Sequence, residues 1–179
     1  KIAYPAFPAD AKGLLCRSLD DPNPVIFIEH KALYRSIEGE VPTGYYSVPF
    51  GKANILKTGN KATVITYGLG VHWMLDILKN NDLDIELIDL RTLAPLDYDT
   101  IYQSVQKTAK ALVVHEDNLT GGIGGEISAR ITEQCFQYLD APVMRCASLD
   151  TPIPFSAQLE WNYLANQRLL EKLNDLLNY

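Results

Sequence analysis

Long apolar runs are missing from this chain. No stretch is long enough to cross a bilayer, so a membrane partner is not expected. Surplus positive charge is missing too. Sixteen Lys and Arg stand against 22 Asp and Glu, a formal charge of −6. Nucleic-acid binders displace counterions with clustered Lys and Arg, and no basic run occurs here, so a nucleic-acid partner is not expected either. Cysteine is scarce. Cys16, Cys135 and Cys146 match neither a zinc spacing nor a C-x-x-C pair. An odd count with long gaps predicts reduced, buried thiols in a reducing compartment. The opening "KIAYPAFPAD" lacks the continuous apolar centre of a signal peptide. It also lacks an initiator Met, which leads us to expect a piece of a longer polypeptide. Low-complexity tracts and internal repeats are absent.

What remains is an ordinary globular composition, 47% hydrophobic and 21% charged over 179 residues. That length supports one cored domain, or one domain plus part of another. "DAKGLLCRSL" reads as a helix from Asp10 to about Leu19, with Leu14, Leu15 and Leu19 on one side. "DDPNP" stops it, because prolines cannot continue a helix and Asp and Asn favour turns. "VIFIEH" then reads as a short buried strand. Residues 1–35 therefore predict strand, helix, strand, a βαβ unit too small to hold a core alone. From 36 to 52 the periodicity dissolves among Gly, Pro and charge, as in a linker. Residues 53–179 alternate regularly. Strands are expected at "ATVITYG", "DIELIDL", "ALVVHED" and "PVMRCAS", with "ANILKTG" as an edge strand. Helices are expected at "GVHWMLDILKNN", at "PLDYDTIYQSVQKTAK", at "GEISARITEQCFQYL" and from about Tyr163 to Leu177. Such alternation implies an α/β fold: a mainly parallel sheet with helices on both faces.

Ligands in open parallel sheets gather beyond the carboxyl ends of strands. Three ends qualify: "YGLG", "LRTLAPLD" and "HEDNLTGGIGGEISARI". In the last, Gly121, Gly122, Gly124 and Gly125 precede a helix whose amides could hold an anion. The spacing is not G-x-G-x-x-G, since Ile127 takes the third position, and no Lys-Ser or Lys-Thr follows. Glu116, Asp117 and Glu126 would repel phosphate. The favoured reading is a turn needing positive φ and close helix–sheet packing. His115 beside Glu116 resembles a base and its orienting acid, but adjacent strand residues point to opposite faces. A structural histidine is preferred. His72 and His30 are read in the same way, and no G-x-S-x-G elbow accompanies them. "DDPNP" offers oxygens that hard cations favour, although an Asx turn explains it as well.

The order of phrases carries more. "PAFPADAKGLLCRSLDDPNPVIFIEHKALYR", "ELIDLRTLAPLDYDTI", "HEDNLTGGIGGEIS" and "RCASLDTPIPFS" resemble, in sequence, landmarks of the β subunit of the thiamine-diphosphate-dependent decarboxylating component of 2-oxo acid dehydrogenase complexes. "EHKALYR", "LTGG" and "DTPIP" are most like the branched-chain, or 2-oxoisovalerate, type. The resemblance implies a transketolase C-terminal-like domain over 53–179, a linker over 36–52, and a remnant of the pyrimidine-binding domain over 1–35. It implies that thiamine diphosphate and magnesium serve the intact enzyme through residues upstream or on the α half, so no catalytic or cofactor-binding residue is assigned here. It implies a structural potassium ion at the turn, with Ser18, Leu19, Asp21 and Asn23 as ligands. Implied partners are the α half, a second β copy, and the small basic subunit-binding domain of the lipoyl acyltransferase core, which the chain's negative charge would suit near Glu171, Asp175 and Tyr179. The implied location is the cytoplasm of a bacterium, or the mitochondrial matrix of a eukaryote. Two alternatives stand beside it: a stand-alone docking module without catalysis, and another thiamine enzyme of the pyruvate, acetoin or transketolase type.

Overall fold

Two fully buried strands decide the architecture. "ATVIT" and "IELID" are buried at every position, the pattern of strands covered on both faces rather than one. The computed structural model describes residues 1–179. In chain order the elements are β1 (Ile2–Ala3), α1 (Pro8–Leu19), β2 (Ile26–Phe27), α2 (Leu33–Ser36), β3 (Asn54–Lys57), β4 (Ala62–Thr66), α3 (Leu69–Asn80), β5 (Ile85–Asp89), β6 (Thr92–Ala94), α4 (Tyr98–Thr108), β7 (Ala111–Asn118), α5 (Gly124–Cys135), β8 (Met144–Ser148), α6 (Ala157–Tyr163) and α7 (Asn166–Leu177).

The main sheet runs β3-β5-β4-β7-β8. Three of its four pairings are parallel, and the β3 edge is antiparallel to β5. Successive strand residues point to opposite faces, and this splits the core in two. Val64, Leu87 and Leu112 pack with Met74 of α3 and with Leu169, Leu173 and Leu176 of α7. Their neighbours Ile65, Ile88 and Val113 pack with Ile101 and Val105 of α4 and with Ile127, Ile131 and Cys135 of α5. Polar atoms inside this core are mostly satisfied. The Thr63 hydroxyl meets those of Ser104 and Thr108 at 2.6 and 2.7 Å, joining β4 to α4. At the start of α4, Asp97 is the cap. Its carboxylate accepts from the Thr100 amide at 3.3 Å and from the Ala53 amide at 3.0 Å.

A second, small sheet runs β2-β1-β6. β1 lies parallel to β2, as the βαβ reading requires, and antiparallel to β6, which the sequence did not announce. The first residues are therefore laced to the corner after β5. The Tyr4 amide donates to the Arg91 carbonyl at 2.8 Å, and the Arg91 guanidinium pairs with Asp10 at 2.8 Å. Residues 36–52 form no strand or helix beyond the end of α2, yet they are strapped down. The Val48 amide donates to the Gly13 carbonyl, and the Tyr46 hydroxyl to the Ala9 carbonyl at 2.6 Å. A Cβ at Gly13 would lie 2.6 Å from the Val48 side chain, so only glycine admits this crossing.

Three expectations need correction. "VIFIEH" is not a buried strand: only Ile26 and Phe27 pair, and Ile26 is exposed because β2 is an edge with no outer neighbour. Of the three leucines on α1, Leu14 alone is buried, while Leu15 and Leu19 face outward. A separate helix, α6, precedes the last one and buries only Tyr163, leaving no apolar period to read. No helix is long and apolar enough to cross a membrane.

Candidate functional site

Strands β4 and β7 lie side by side and parallel, so their carboxyl ends open at one place. There Tyr67, Glu116 and Asp117 meet Tyr4 and Ile28 from the first segment and Tyr163 from α6, around a cavity of about 390 Å³. Gly68 turns the chain away with φ at 54°, and a Cβ there would lie 2.7 Å from the Tyr4 ring. The rings of Tyr4 and Tyr67 are 5.3 Å apart, and Tyr67 stacks on His115 at 6.5 Å. Burial, reinforced by Glu116, pushes the Tyr4 phenol up to about 12. Burial and then Asp117 raise Tyr67 further. Both phenols therefore stay protonated. Glu116 turns outward to His30, whose Nε2 lies 2.8 Å from its carboxylate. That contact joins the first segment to β7, and sequence distance concealed it.

His115 faces the other way and is completely buried. Its Nδ1 lies 3.1 Å from the Asp117 carbonyl, which can only accept, so the proton sits on Nδ1. Its Nε2 has no partner. A Cβ at Gly124 would lie 2.4 Å from that nitrogen, and one at Gly122 would lie 2.4 Å from the Asn118 carbonyl oxygen. Burial lowers the His115 pKa, keeping the ring neutral. The glycines thus let α5 close over an imidazole, and Gly121 supplies the positive φ of 82° that the turn needs. The anion reading finds no support, because Glu126 already sits in the first turn of α5 and pairs with Arg130 at 2.6 Å. His72 is structural as well: its Nε2 lies 2.8 Å from the Ala6 carbonyl, holding α3 to the first segment.

The turn at "DDPNP" brings Ser18, Asp21 and Asn23 together, with Leu19 at the end of α1. The Ser18 and Asp21 side-chain oxygens are used internally. The Asp21 carboxylate accepts from the Asn23 amide at 3.1 Å, pairs with Lys1, and has Arg17 at 3.4 Å. The Ser18 carbonyl accepts from the Asp21 amide, and the Ser18 hydroxyl donates to the Leu14 carbonyl at 2.7 Å. The hydrogen bond from Lys1, then that from the Asn23 amide, holds Asp21 down at about 2. As arranged, this is an Asx turn with two cations on the Asp21 carboxylate, whose side-chain oxygens are therefore not free for a metal ion. Thiamine diphosphate and magnesium find no fit at the large cavity. Its charged lining is Glu116, Asp117 and Glu160, with no Lys or Arg. Nor does any cluster of three His, Cys, Asp or Glu suit a metal.

Comparisons with known proteins give the family. The family described as transketolase, C-terminal domain, matches residues 51–168, and the chain belongs to it. It is 44% identical over 167 residues to the acetoin:2,6-dichlorophenolindophenol oxidoreductase subunit beta of Cupriavidus necator, covering 92% of this chain and 49% of that one. It is 43% identical over 175 residues to the 2-oxoisovalerate dehydrogenase subunit beta of Bacillus subtilis, covering 96% and 54%. It is 42% identical over 183 residues to the pyruvate dehydrogenase E1 component subunit beta of Bacillus subtilis, covering 100% and 56%. The chain thus spans about half the length of these relatives. Among solved structures, a split-gene transketolase, an inactive beta4 tetramer, superposes with a TM-score of 0.78 at 20% identity, covering 99% of this chain and 57% of that one. The α/β, transketolase C-terminal-like fold expected from the sequence is the fold observed. The relatives are β subunits of pyruvate, acetoin and 2-oxoisovalerate enzymes, without preference for the branched-chain type.

Proposed function

We propose that this chain is part of the β half of a 2-oxo acid dehydrogenase, and that it serves assembly rather than bond making. One observation carries the reading. The chain aligns over 92% or more of its length with β subunits of three such enzymes, while its own carboxyl-edge histidine is sealed beneath glycines. In the complete enzyme, thiamine diphosphate with magnesium would carry the decarboxylation, held by residues outside this chain, and the acyl group would pass to a lipoyl arm. Residues 1–35 would close a pyrimidine-binding domain, and 53–179 would form the assembly domain. An exposed apolar ridge supports that role. Ile153, Phe155, Leu159 and Trp161 all face solvent beside the cavity, an arrangement that marks contact surfaces. It would meet the α half or a second β copy. The exposed Glu171 and Asp175 of α7 would face the basic subunit-binding domain of the lipoyl acyltransferase core. A potassium ion at Ser18, Leu19, Asp21 and Asn23 would require Lys1 and Arg17 to leave the Asp21 carboxylate. The location that goes with this function is the bacterial cytoplasm or the mitochondrial matrix.

Within that class we place the substrate among branched-chain 2-oxo acids, on the phrases "EHKALYR", "LTGG" and "DTPIP". The test is turnover by the complete enzyme, with its α half, thiamine diphosphate, magnesium and an artificial acceptor. Preference for 2-oxoisovalerate is expected. Preference for pyruvate or acetoin would overturn the substrate and keep the class. Turnover of a ketose phosphate alone would overturn the class.

A further inference from the structure

A second cavity, of about 200 Å³, lies beside the edge strand β8. Three cations line it: Arg145 from β8, and Arg168 and Lys172 from α7. The last two are four residues apart and so share one helix face. In a chain of net charge −6 this is an unusual concentration of one sign. The only carboxylate in the lining is Asp150, and it is turned to Thr120, accepting from the amide at 2.8 Å and the hydroxyl at 2.7 Å.

The cations differ in how far they are spoken for. Arg145 gives one nitrogen to the Leu119 carbonyl at 2.9 Å. Arg168 gives one to Ala147 at 3.0 Å and Tyr163 at 3.2 Å, and another to Asn162 at 3.0 Å. These bonds fix both guanidinium groups in place and leave further N–H donors on each. Lys172 is half-buried and has no ion-pair partner. Ser148, also in the lining, is buried, and its hydroxyl has no hydrogen-bond partner. A half-buried ammonium with no ion-pair partner beside two fixed guanidinium groups is where a bound anion would gain most. The Cys146 thiol beneath it is not the reactive group. Burial raises it to about 11 against the pull of Arg168 and Lys172, so it stays protonated.

We propose that this cavity binds the phosphate group of a small phosphate monoester. Three cations against one carboxylate leave a surplus of two positive charges, the match for a phosphate that carries about two negative charges at neutral pH. Two planar guanidinium groups with a point-charge ammonium suit its oxygens. The small volume excludes a bulky ligand. Bound there, the phosphate would clamp the Leu119 turn, the end of α6 and the face of α7 together. The site is independent of which oxo acid the complete enzyme accepts.

The test is calorimetric titration of the full chain with inorganic phosphate and with glycerol phosphate, at constant ionic strength set by chloride. One saturable site is expected for both, with the monoester at least as tight. Lys172→Met, which keeps the apolar stem, should weaken both by about tenfold or more, the usual effect of losing a charged hydrogen bond. Lys79→Met, far from the cavity and paired with Asp76, should change nothing. No saturable binding, or equal loss in the two variants, or no loss in Lys172→Met, would overturn the site. Binding of inorganic phosphate with exclusion of glycerol phosphate would overturn the monoester.

Discussion

Two cavities, one at the ends of β4 and β7 and one beside β8, carry opposite charge. The larger, at the ends of β4 and β7, is lined by Glu116, Asp117 and Glu160. The smaller, beside β8, is lined by Arg145, Arg168 and Lys172. They differ more deeply in how their polar groups are satisfied. In the acidic cavity Glu116 has His30, and Tyr163 has Asn118. In the basic cavity one ammonium has nothing. A satisfied polar group near a strand end is holding the fold together. A spare one, half withdrawn from water, is where a ligand adds most. The histidine that looks catalytic in sequence is sealed under Gly122 and Gly124, while the lysine that attracts no notice lines an open cavity.

Removing satisfied groups should therefore cost stability in proportion to burial, and removing the spare one should not. The largest effect is expected at Arg91. Arg91→Ala leaves the Asp10 carboxylate, 7% exposed, without its partner, and should destabilise by about 3 kcal/mol in urea unfolding. Next is Gly124→Ala. Its Cβ would press on the His115 ring, and about 2 kcal/mol should be lost. If Gly124→Ala costs nothing, the glycine turn is not there for packing and its anion role must be reopened.

Asp89 sharpens the comparison through pH. It is wholly buried, one carboxylate oxygen accepts from the Arg91 amide at 3.1 Å, and the other has no partner. Burial raises its pKa from 3.8 to about 7, against the pull of that amide. The native chain then keeps a proton that the unfolded chain has released. The stability this contributes is complete below the unfolded pKa and is lost as pH rises to about 7. Between those values the slope from this group approaches about 1.4 kcal/mol per pH unit. Asp89→Asn should flatten unfolding free energy across that window. An unchanged slope would mean that water reaches the carboxylate. The smallest effect is expected from Lys172→Met, within about 0.5 kcal/mol of the parent chain in the absence of phosphate.

Much of the sheet was legible because "ATVIT", "IELID" and "ALVV" are short segments rich in Val, Ile and Leu between turn signals. The glycine turn was legible because its spacing fits no phosphate loop, leaving packing as the remaining use. β6 was not legible, since Thr92–Ala94 becomes a strand only when β1 lies beside it. "VIFIEH" misled because apolar content does not reveal whether a neighbour will cover it. At the "DDPNP" turn the Asx turn was legible, whereas the pairing of Asp21 with Lys1 was not, because the two are distant in sequence. The basic cavity left one trace, Arg168 and Lys172 at helical spacing. Arg145 joins them only through the packing of α7 on β8, which no local pattern encodes.

The central claim is that this chain folds and assembles while the chemistry resides elsewhere in the complete enzyme. Calorimetric titration of the 179-residue chain with thiamine diphosphate and magnesium tests it most directly, with inorganic phosphate present at saturation to occupy the basic cavity. No saturable heat is predicted. One-to-one binding of thiamine diphosphate under those conditions would contradict the account and require a cofactor site within these residues.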